Sequence, residues 1–336
     1  MSANSSLPEH ADPTVTVVIP MRNEAGCIAG CVESVLASEL PPGVSIEVLV
    51  LDGNSTDDSP AIVAGMAARD GRIRLLSNPA RLQAAAFNVG LAAARGEYLV
   101  RMDAHSTYAP DYIAECLRLL ESTAAGNVGG VQQATGSSWL TRAIATAVSS
   151  RFAAGDAQYR NATAPGFTDT VYLGAWRTAT VRELGGMRPD WAVNEDYEMN
   201  VRLRASGRTV YLSPTIRSTY QVRSSLPRLA RQYARYGFWK VRTLLEHPAS
   251  LRWRQLVAPA FVLSILLTPW LVSQFGTWGL SHLVLYAAAS TIASVFVARR
   301  AGMMLLPLLP LVFLIIHCSW GCGFLAGLVW WPFRRA

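Results

Sequence analysis

The hydrophobic pattern changes character twice along the chain. Residues 14–20 form a continuous β-branched run, T-V-T-V-V-I-P, and residues 45–52 repeat it as S-I-E-V-L-V-L-D. Residues 73–76 and 98–103 are shorter versions. Such runs predict strands buried on both faces. Helix-compatible stretches at 27–37, 59–69 and 82–94 fill the gaps. Buried strands alternating with helices predict βαβ units, hence an α/β, Rossmann-like fold around a mostly parallel sheet. The pattern then becomes less regular. Strands are expected at 127–133, 169–173, 209–212 and 215–220, and helices at 139–151 and 195–206.

The second change begins near residue 223. Residues 226–246 predict a long amphipathic helix, with Leu229, Tyr233, Tyr236, Phe238, Trp239, Val241 and Leu244 set among arginines. Aromatic residues mixed with basic ones suit a helix at a membrane interface, and also one packed on the domain. Apolar segments follow at 256–275, 280–298 and 303–331. The first two each match one span of about 20 residues. The third is longer and carries Pro307 and Pro310. Four regions follow: a disordered tail over 1–13, an α/β domain over 14–222, a basic interfacial region over 223–254 and a transmembrane region over 255–336.

Charge sharpens that division. Residues 1–216 carry a net −5, residues 217–254 a net +8 and residues 255–336 a net +4, the last from Arg299, Arg300, Arg334 and Arg335 alone. A basic segment just before apolar spans reads as a cytoplasmic juxtamembrane region. It also suits nucleic acid, but no nucleic-acid motif accompanies it, so none is expected as a partner. The polar first 13 residues lack a basic n-region and an apolar h-region, so no signal peptide is expected and the α/β domain should stay in the cytoplasm. Arg252 and Arg254 place the start of the first span inside, and Arg299 and Arg300 the end of the second. Three crossings put Arg334 and Arg335 outside, against the charge rule, whereas a re-entrant third segment keeps them inside. The five cysteines include Cys27 with Cys31 and Cys318 with Cys322, each pair one helical turn apart. Nothing completes a zinc set, so all five are expected to be reduced thiols, mostly buried.

In parallel sheets, ligands bind beyond the carboxyl ends of the strands. Here those ends carry Arg22 to Glu24, Asp52 to Asp58 and Asp103 to His105. No G-x-G-x-x-G or G-x-x-x-x-G-K-[ST] follows a strand, so phosphates need another cradle, such as a metal ion. Asp103-Ala104-His105 can hold Mg²⁺ or Mn²⁺, and an imidazole ligand favours Mn²⁺. Alone, D-x-H is common and equally suits a turn. Asn194-Glu195-Asp196 offers two acids. Asp196 can act as a general base on a sugar hydroxyl. Equally, Asn194 can cap a helix whose first turn welcomes acids. On the basic helix, one turn brings Gln232 beside Arg235 and Tyr236. Arg pairs with phosphate and an aromatic ring stacks on a sugar, although a solvated basic helix looks the same.

Together and in order the blocks are specific. V-V-I-P-M-R-N-E, V-L-D-G-N-S-T-D-D-S, F-N-V-G-L-A-A-A-R-G-E-Y-L-V-R-M-D-A-H, N-E-D and Q-Y-A-R-Y resemble glycosyltransferase family 2, with its GT-A fold. D-T-V-Y-L-G-A-W-R, N-E-D-Y-E and R-Q-Y-A-R-Y-G-F-W-K-V-R resemble its succinoglycan-type bacterial exopolysaccharide glucosyltransferases. The resemblance spans residues 14 to about 247. It implies that Pro20, Arg22 and Glu24 line the uridine pocket, that Asp52 binds the uracil edge and that Arg81 approaches the diphosphate or ribose. Asp103 and His105 stand where the family has D-x-D and so hold the metal, Mn²⁺ or Mg²⁺. Glu195 and Asp196 match the E-D motif, with Asp196 as catalytic base. Gln232, Arg235 and Tyr236 match Q-x-x-R-W. Two positions depart from the family: His105 replaces the second Asp, which puts metal identity in doubt, and Tyr236 replaces Trp.

The resemblance therefore implies an inverting transferase. It moves a sugar, glucose by analogy, from a UDP-sugar to a polyprenyl-linked saccharide at the cytoplasmic leaflet of a bacterial inner membrane. With no span ahead of the domain, single addition is expected rather than processive synthesis. The alternatives are a polyprenyl-phosphate glycosyltransferase, a processive polysaccharide synthase, and a non-catalytic membrane scaffold that kept the fold.

Overall fold

The structure, a computed structural model, describes residues 13–155 and 158–334. The expectations for residues 1–12 and Arg335 lie outside them. β1 (Val15–Met21) is followed by α1 (Ile28–Leu36), β2 (Ile46–Asp52), α2 (Ser59–Ala67), β3 (Ile73–Ser77), α3 (Gln83–Ala93) and β4 (Tyr98–Arg101). β1 lies between β2 and β4, and β2 between β1 and β3, all parallel. All seven residues of β1 are buried, as a strand covered on both faces requires.

The chain continues through β5 (Ser106–Tyr108), α4 (Tyr112–Thr123), β6 (Asn127–Thr135), α5 (Trp139–Val148), α6 (Arg151–Ala154) and α7 (Gln158–Asn161). Then come β7 (Gly166–Thr168), β8 (Tyr172–Arg177), α8 (Thr178–Glu183), α9 (Glu195–Ala205) and β9 (Val210–Gln221). The sheet runs β3-β2-β1-β4-β8-β6-β9-β5, with β7 paired to β9. β8 is antiparallel to both β4 and β6, while β6 and β9 are parallel. The expected strand at 169–173 is displaced toward the C-terminus, because Gly174–Arg177 supply the pairing with β4. The two short strands expected at 209–212 and 215–220 are one. Pro214 interrupts the hydrogen bonding without ending the strand, and the register with β6 shifts between Gly129 and Val131. The single helix expected at 139–151 is two, since Ser150 starts a new turn by accepting from Ala153 N.

Helices cover both faces of the sheet. One core joins the strands to α1, α2 and α4, and another joins them to α3, α8 and α9. A third joins α5 to the C-terminal helices, which fixes the apolar part to the domain.

Those helices are α10 (Leu226–Glu246), α11 (Val257–Leu266), α12 (Thr268–Phe275), α13 (Ser281–Ala301) and α14 (Leu309–Trp330). The first apolar segment is divided at Leu267 by Pro269, which lacks the N–H that would continue the ladder. The stretches Thr268–Ala301 and Leu309–Phe333 are long and apolar enough to cross a membrane. α13 turns Val284, Leu285, Ile292 and Phe296 outward, as a lipid-facing helix does. α14 lies against α10 instead, with Gly323 seated on the Ala234 carbonyl and Gly237 on that of Trp320. The five cysteines are free, but Cys27 and Cys322 are exposed and only Cys31 and Cys116 are buried, which corrects the expectation of mostly buried thiols.

Candidate active site

The strand ends open on two adjoining cavities that share Gln83, Asp103 and His105. The smaller, about 110 Å³, is lined by Pro20, Arg22, Glu24, Asn78 and Arg81 as well. Four of the expected donor-site residues, Pro20, Arg22, Glu24 and Arg81, thus meet both expected metal ligands in one place. Asp52 does not line it. Its carboxylate accepts from Ser55 N at 3.1 Å, and the neighbouring Gly53 reaches the cavity instead.

The loop after β1 is held open by the loop after β2. Asn23 adopts a left-handed conformation (φ 57°), and its Oδ1 accepts from Thr56 N at 2.7 Å. Glu24 N donates to Ser59 Oγ at 2.8 Å. Arg81 is also left-handed (φ 59°) and donates its N–H to Asn78 O. Residues held in this region mark positions the surroundings over-determine, a recurrent feature of ligand sites. Asn78 escaped the sequence reading. It is buried, lines the smaller cavity and has an Oδ1 with no hydrogen-bond partner among the described residues.

Asp103 follows β4. Its backbone N donates to Tyr108 Oη at 2.6 Å, and its Oδ2 accepts from Tyr172 Oη at 2.9 Å. Oδ1 is buried and accepts no hydrogen bond among the described residues. His105 turns Nδ1 toward Glu24 Oε1 at 3.5 Å. Burial opposes protonation of this ring, but Glu24 and Asp103 outweigh it and raise its pKa.

α9 brings the acidic pair. Asp196 Oδ1 accepts from Tyr197 N at 2.7 Å, one of the free N–H groups of the first turn. Asn194 does not cap through its side chain. It sits in the left-handed region (φ 64°) and contributes only its carbonyl, to Glu198 N at 2.9 Å. The side-chain cap, one of the two readings of this motif, is not formed, because Asn194 stands in the left-handed region rather than in the extended conformation of a capping residue. Glu195 is buried, and its Oε1 accepts from Arg101 Nη2 at 3.3 Å. Burial raises the Glu195 pKa, Arg101 opposes this, and Asp196 adds to it. Arg101 also lies 3.6 Å from Asp103 Oδ1. It ties the two acidic motifs together, yet it was hidden inside an apolar strand run.

The larger cavity, about 1150 Å³, holds Asp103, His105, Asp196, Gln232, Arg235 and Tyr236 on one wall system. Gln232 Nε2 donates to Tyr236 Oη at 2.7 Å, one turn along α10. All three motif blocks therefore meet, although they are separated by some 90 and 40 residues in sequence.

A model of glycosyl transferase family 2 matches residues 16–174. The chain is 31% identical to the succinoglycan biosynthesis protein ExoA of Rhizobium meliloti, over 95% of this chain and 96% of that protein. The chain belongs to glycosyltransferase family 2. It is also 25% identical, over 94% of itself and 97% of the relative, to a dolichyl N-acetyl-alpha-D-glucosaminyl phosphate 3-beta-D-2,3-diacetamido-2,3-dideoxy-beta-D-glucuronosyltransferase of Methanococcus voltae. Among solved structures, the mannosyltransferase PcManGT of Pyrobaculum calidifontis, in complex with GDP-Man and Mn²⁺, superposes with a TM-score of 0.59 at 20% identity. That match covers 95% of this chain and 88% of that one, and shows a shared GT-A fold. This family-2 member is thus a glycosyltransferase of exopolysaccharide or glycan synthesis, with C-terminal helices suited to membrane association.

The family's divalent ion can be tested against the residues present. Among the described residues no three of His, Cys, Asp and Glu form a closed metal site. Mg²⁺ and Mn²⁺ do not need one, because they take one or two protein ligands and complete their shell with substrate phosphates and water. Asp103 Oδ1, which accepts no hydrogen bond among the described residues and faces only the Arg101 charge at 3.6 Å, and the His105 ring held through its other nitrogen, fit that mode.

Proposed function

We propose that this glycosyltransferase moves one sugar, glucose by its resemblance, from a UDP-sugar to a polyprenyl-linked saccharide at the cytoplasmic leaflet, with inversion at C1. The observation that carries this reading is the continuity of the larger cavity. It runs from Asp103 and Asp196 past Gln232 and Tyr236 to Phe261, Leu285 and Trp320 on the apolar helices. A lipid-linked acceptor needs such a path, with its sugar at the base and its tail in the bilayer. The Methanococcus relative is named for a dolichyl phosphate-linked sugar, and the Pyrobaculum structure holds a nucleotide sugar and Mn²⁺. Both support the reading.

Pro20, Arg22, Glu24 and Arg81 bind the nucleotide, with Asn78 added, while Asp52 shapes the loop after β2 through Ser55 N. Asp196 accepts the proton of the acceptor hydroxyl as its oxygen bonds to C1. The bond from C1 to the diphosphate oxygen breaks on the opposite face, and UDP departs. Asp103 and His105 would hold the divalent ion, which when bound would supply positive charge to the diphosphate. Arg235 supports the same charge. Gln232 and Tyr236 orient the acceptor, and Glu195, engaged by Arg101, fixes the start of α9.

Membranes containing the protein, supplied with radiolabelled UDP-glucose and Mn²⁺, test this. A short, organic-extractable labelled product is expected. A long polymer, or transfer from none of a panel of UDP- and GDP-sugars, overturns it.

A further inference from the structure

The chain contains a single lysine among 30 basic Lys and Arg residues, and it is Lys240. Its side chain is 6% exposed, and its Nζ has no hydrogen-bond partner among the described residues. The ammonium lies 4.1 Å from the centroid of the Tyr197 ring, the residue after Asp196. It also lines the larger cavity.

The cost of burying an unpaired ammonium calls for a reason. The neighbouring carboxylate, Asp169, is already engaged by Arg252 at 3.4 Å. Arg204 is near enough to oppose the Lys240 charge, and Tyr197, whose ring Lys240 faces, donates its Oη to Ser250 O at 3.5 Å. Burial holds Lys240 down to about 8; Asp169 favours its charge, and Arg252 and Arg204 oppose it. The place is set by helix geometry. Gln232, Tyr236 and Lys240 repeat every fourth residue along one face of α10. That ladder spans about 12 Å at 1.5 Å per residue. It ends beside the residue that follows the base, and Gln255, Val257 and Ala258 of the α11 approach line the cavity next to it.

We propose that Lys240 is the contact for an oxyanion carried by the acceptor, namely the phosphate of its lipid linkage or a carboxylate on its sugar. This deepens the lipid-linked acceptor reading and rests on it. A lysine suits the role because its compact ammonium is a point charge on a flexible stem, and an arginine in its place keeps that charge.

The lone lysine supplies its own probe. Reductive ¹³C-methylation in detergent, before reconstitution into nanodiscs, labels Lys240 and the N-terminal amine, and a Lys240→Arg sample assigns the two signals. Titration with polyprenyl phosphate, or with glucuronate, is expected to shift the Lys240 signal and move its titration to higher pH. A response to polyprenyl phosphate identifies the lipid phosphate, and a response to glucuronate the sugar acid. No response to either, or a full response to UDP with Mn²⁺ alone, overturns the assignment. Calorimetric UDP binding on the same sample reports the donor site separately, so failure here is distinguishable from failure of the transferase reading. In transfer assays, Lys240→Met is expected to raise the acceptor KM about tenfold more than the donor KM, with Lys240→Arg restoring most of it. Equal changes in both KM values also overturn it.

Discussion

Arg101 Nη2 stands 3.3 Å from Glu195 Oε1, a contact between the end of β4 and the start of α9 that is buried on both sides. The same nitrogen lies 3.6 Å from Asp103 Oδ1, so one guanidinium couples the strand end that carries Asp103 to the start of α9. Removing one partner of a buried pair leaves the other uncompensated. Arg101→Met is expected to cost about 3–5 kcal/mol of stability. Adding Glu195→Gln should recover part of that loss. A double-mutant cycle by thermal melting measures the coupling, and additive effects would count against the link.

Asp196 is assigned the proton of the acceptor hydroxyl. Asp196→Asn keeps the shape and the contact with Tyr197 N but removes the basic oxygen. Transfer should fall by about 10²–10⁴-fold, the usual range for a general base. UDP-sugar affinity, measured by calorimetry, should stay within a fewfold. Unaltered turnover would sink the base assignment.

Much of this arrangement was legible before the structure. The β-branched runs that became β1 and β2 bury every residue but Asp52, so burial on both faces left an unambiguous pattern. The order of the motif blocks placed Asp103, Asp196 and Gln232 in one site, and all three line the larger cavity. What escaped depends on long-range pairing. Arg101 sits inside a strand run, and nothing local shows that its partner lies 94 residues away. Tyr172, which donates to Asp103, precedes a left-handed Leu173 that sequence propensity does not anticipate. Asn78 looked like an ordinary turn residue in S-N-P-A. Its buried Oδ1 has no hydrogen-bond partner among the described residues, and only the folded turn brings the residue to the cavity wall.

Gly237 and Gly323 allow α10 and α14 to touch. A Cβ on Gly323 would stand 2.0 Å from Ala234 O, and one on Gly237 2.0 Å from Trp320 O. Neither backbone can yield without separating the helices. Gly323→Ala should destabilise the protein by about 1–3 kcal/mol, the usual cost of overpacking. Because Trp320 and Tyr236 line one cavity, acceptor KM should rise as well. Tryptophan-fluorescence melting in detergent checks the first effect, and transfer kinetics the second.

Glu47 gives the fold a defined acid limit. It is buried in β2 and accepts from Thr16 Oγ1 at 2.7 Å, Arg95 N at 2.8 Å and Arg95 Nε at 3.1 Å. Burial alone would raise its pKa, but the Arg95 and Thr16 hydrogen bonds outweigh it and hold the carboxyl below the usual range. A depressed carboxylate stabilises the fold fully above its unfolded pKa, about 4.3, and loses that contribution as pH falls below it. Glu47→Gln should therefore cost about 1.5–3 kcal/mol at pH 7 and progressively less below pH 4. Melting curves at pH 7 and pH 3.5 compare the two; an equal deficit at both would refute the charge-based account.

Glu24 was expected to line the uridine pocket, and it lines the smaller cavity. Its carboxylate faces His105 Nδ1 at 3.5 Å, so under the proposed metal role the other ring nitrogen would serve the ion. A histidine ligand depends on such a partner for its tautomer and orientation, and losing the partner usually costs about 10–100-fold in metal affinity. Glu24→Gln should weaken Mn²⁺ binding in the presence of UDP by that amount, while His105→Ala should weaken it at least as much. Mn²⁺ electron paramagnetic resonance reads both without reference to turnover. If Glu24→Gln lowers UDP affinity measured without metal and leaves the Mn²⁺ titration unaltered, then Glu24 serves the nucleotide alone and His105 takes its orientation from the Asp103 turn.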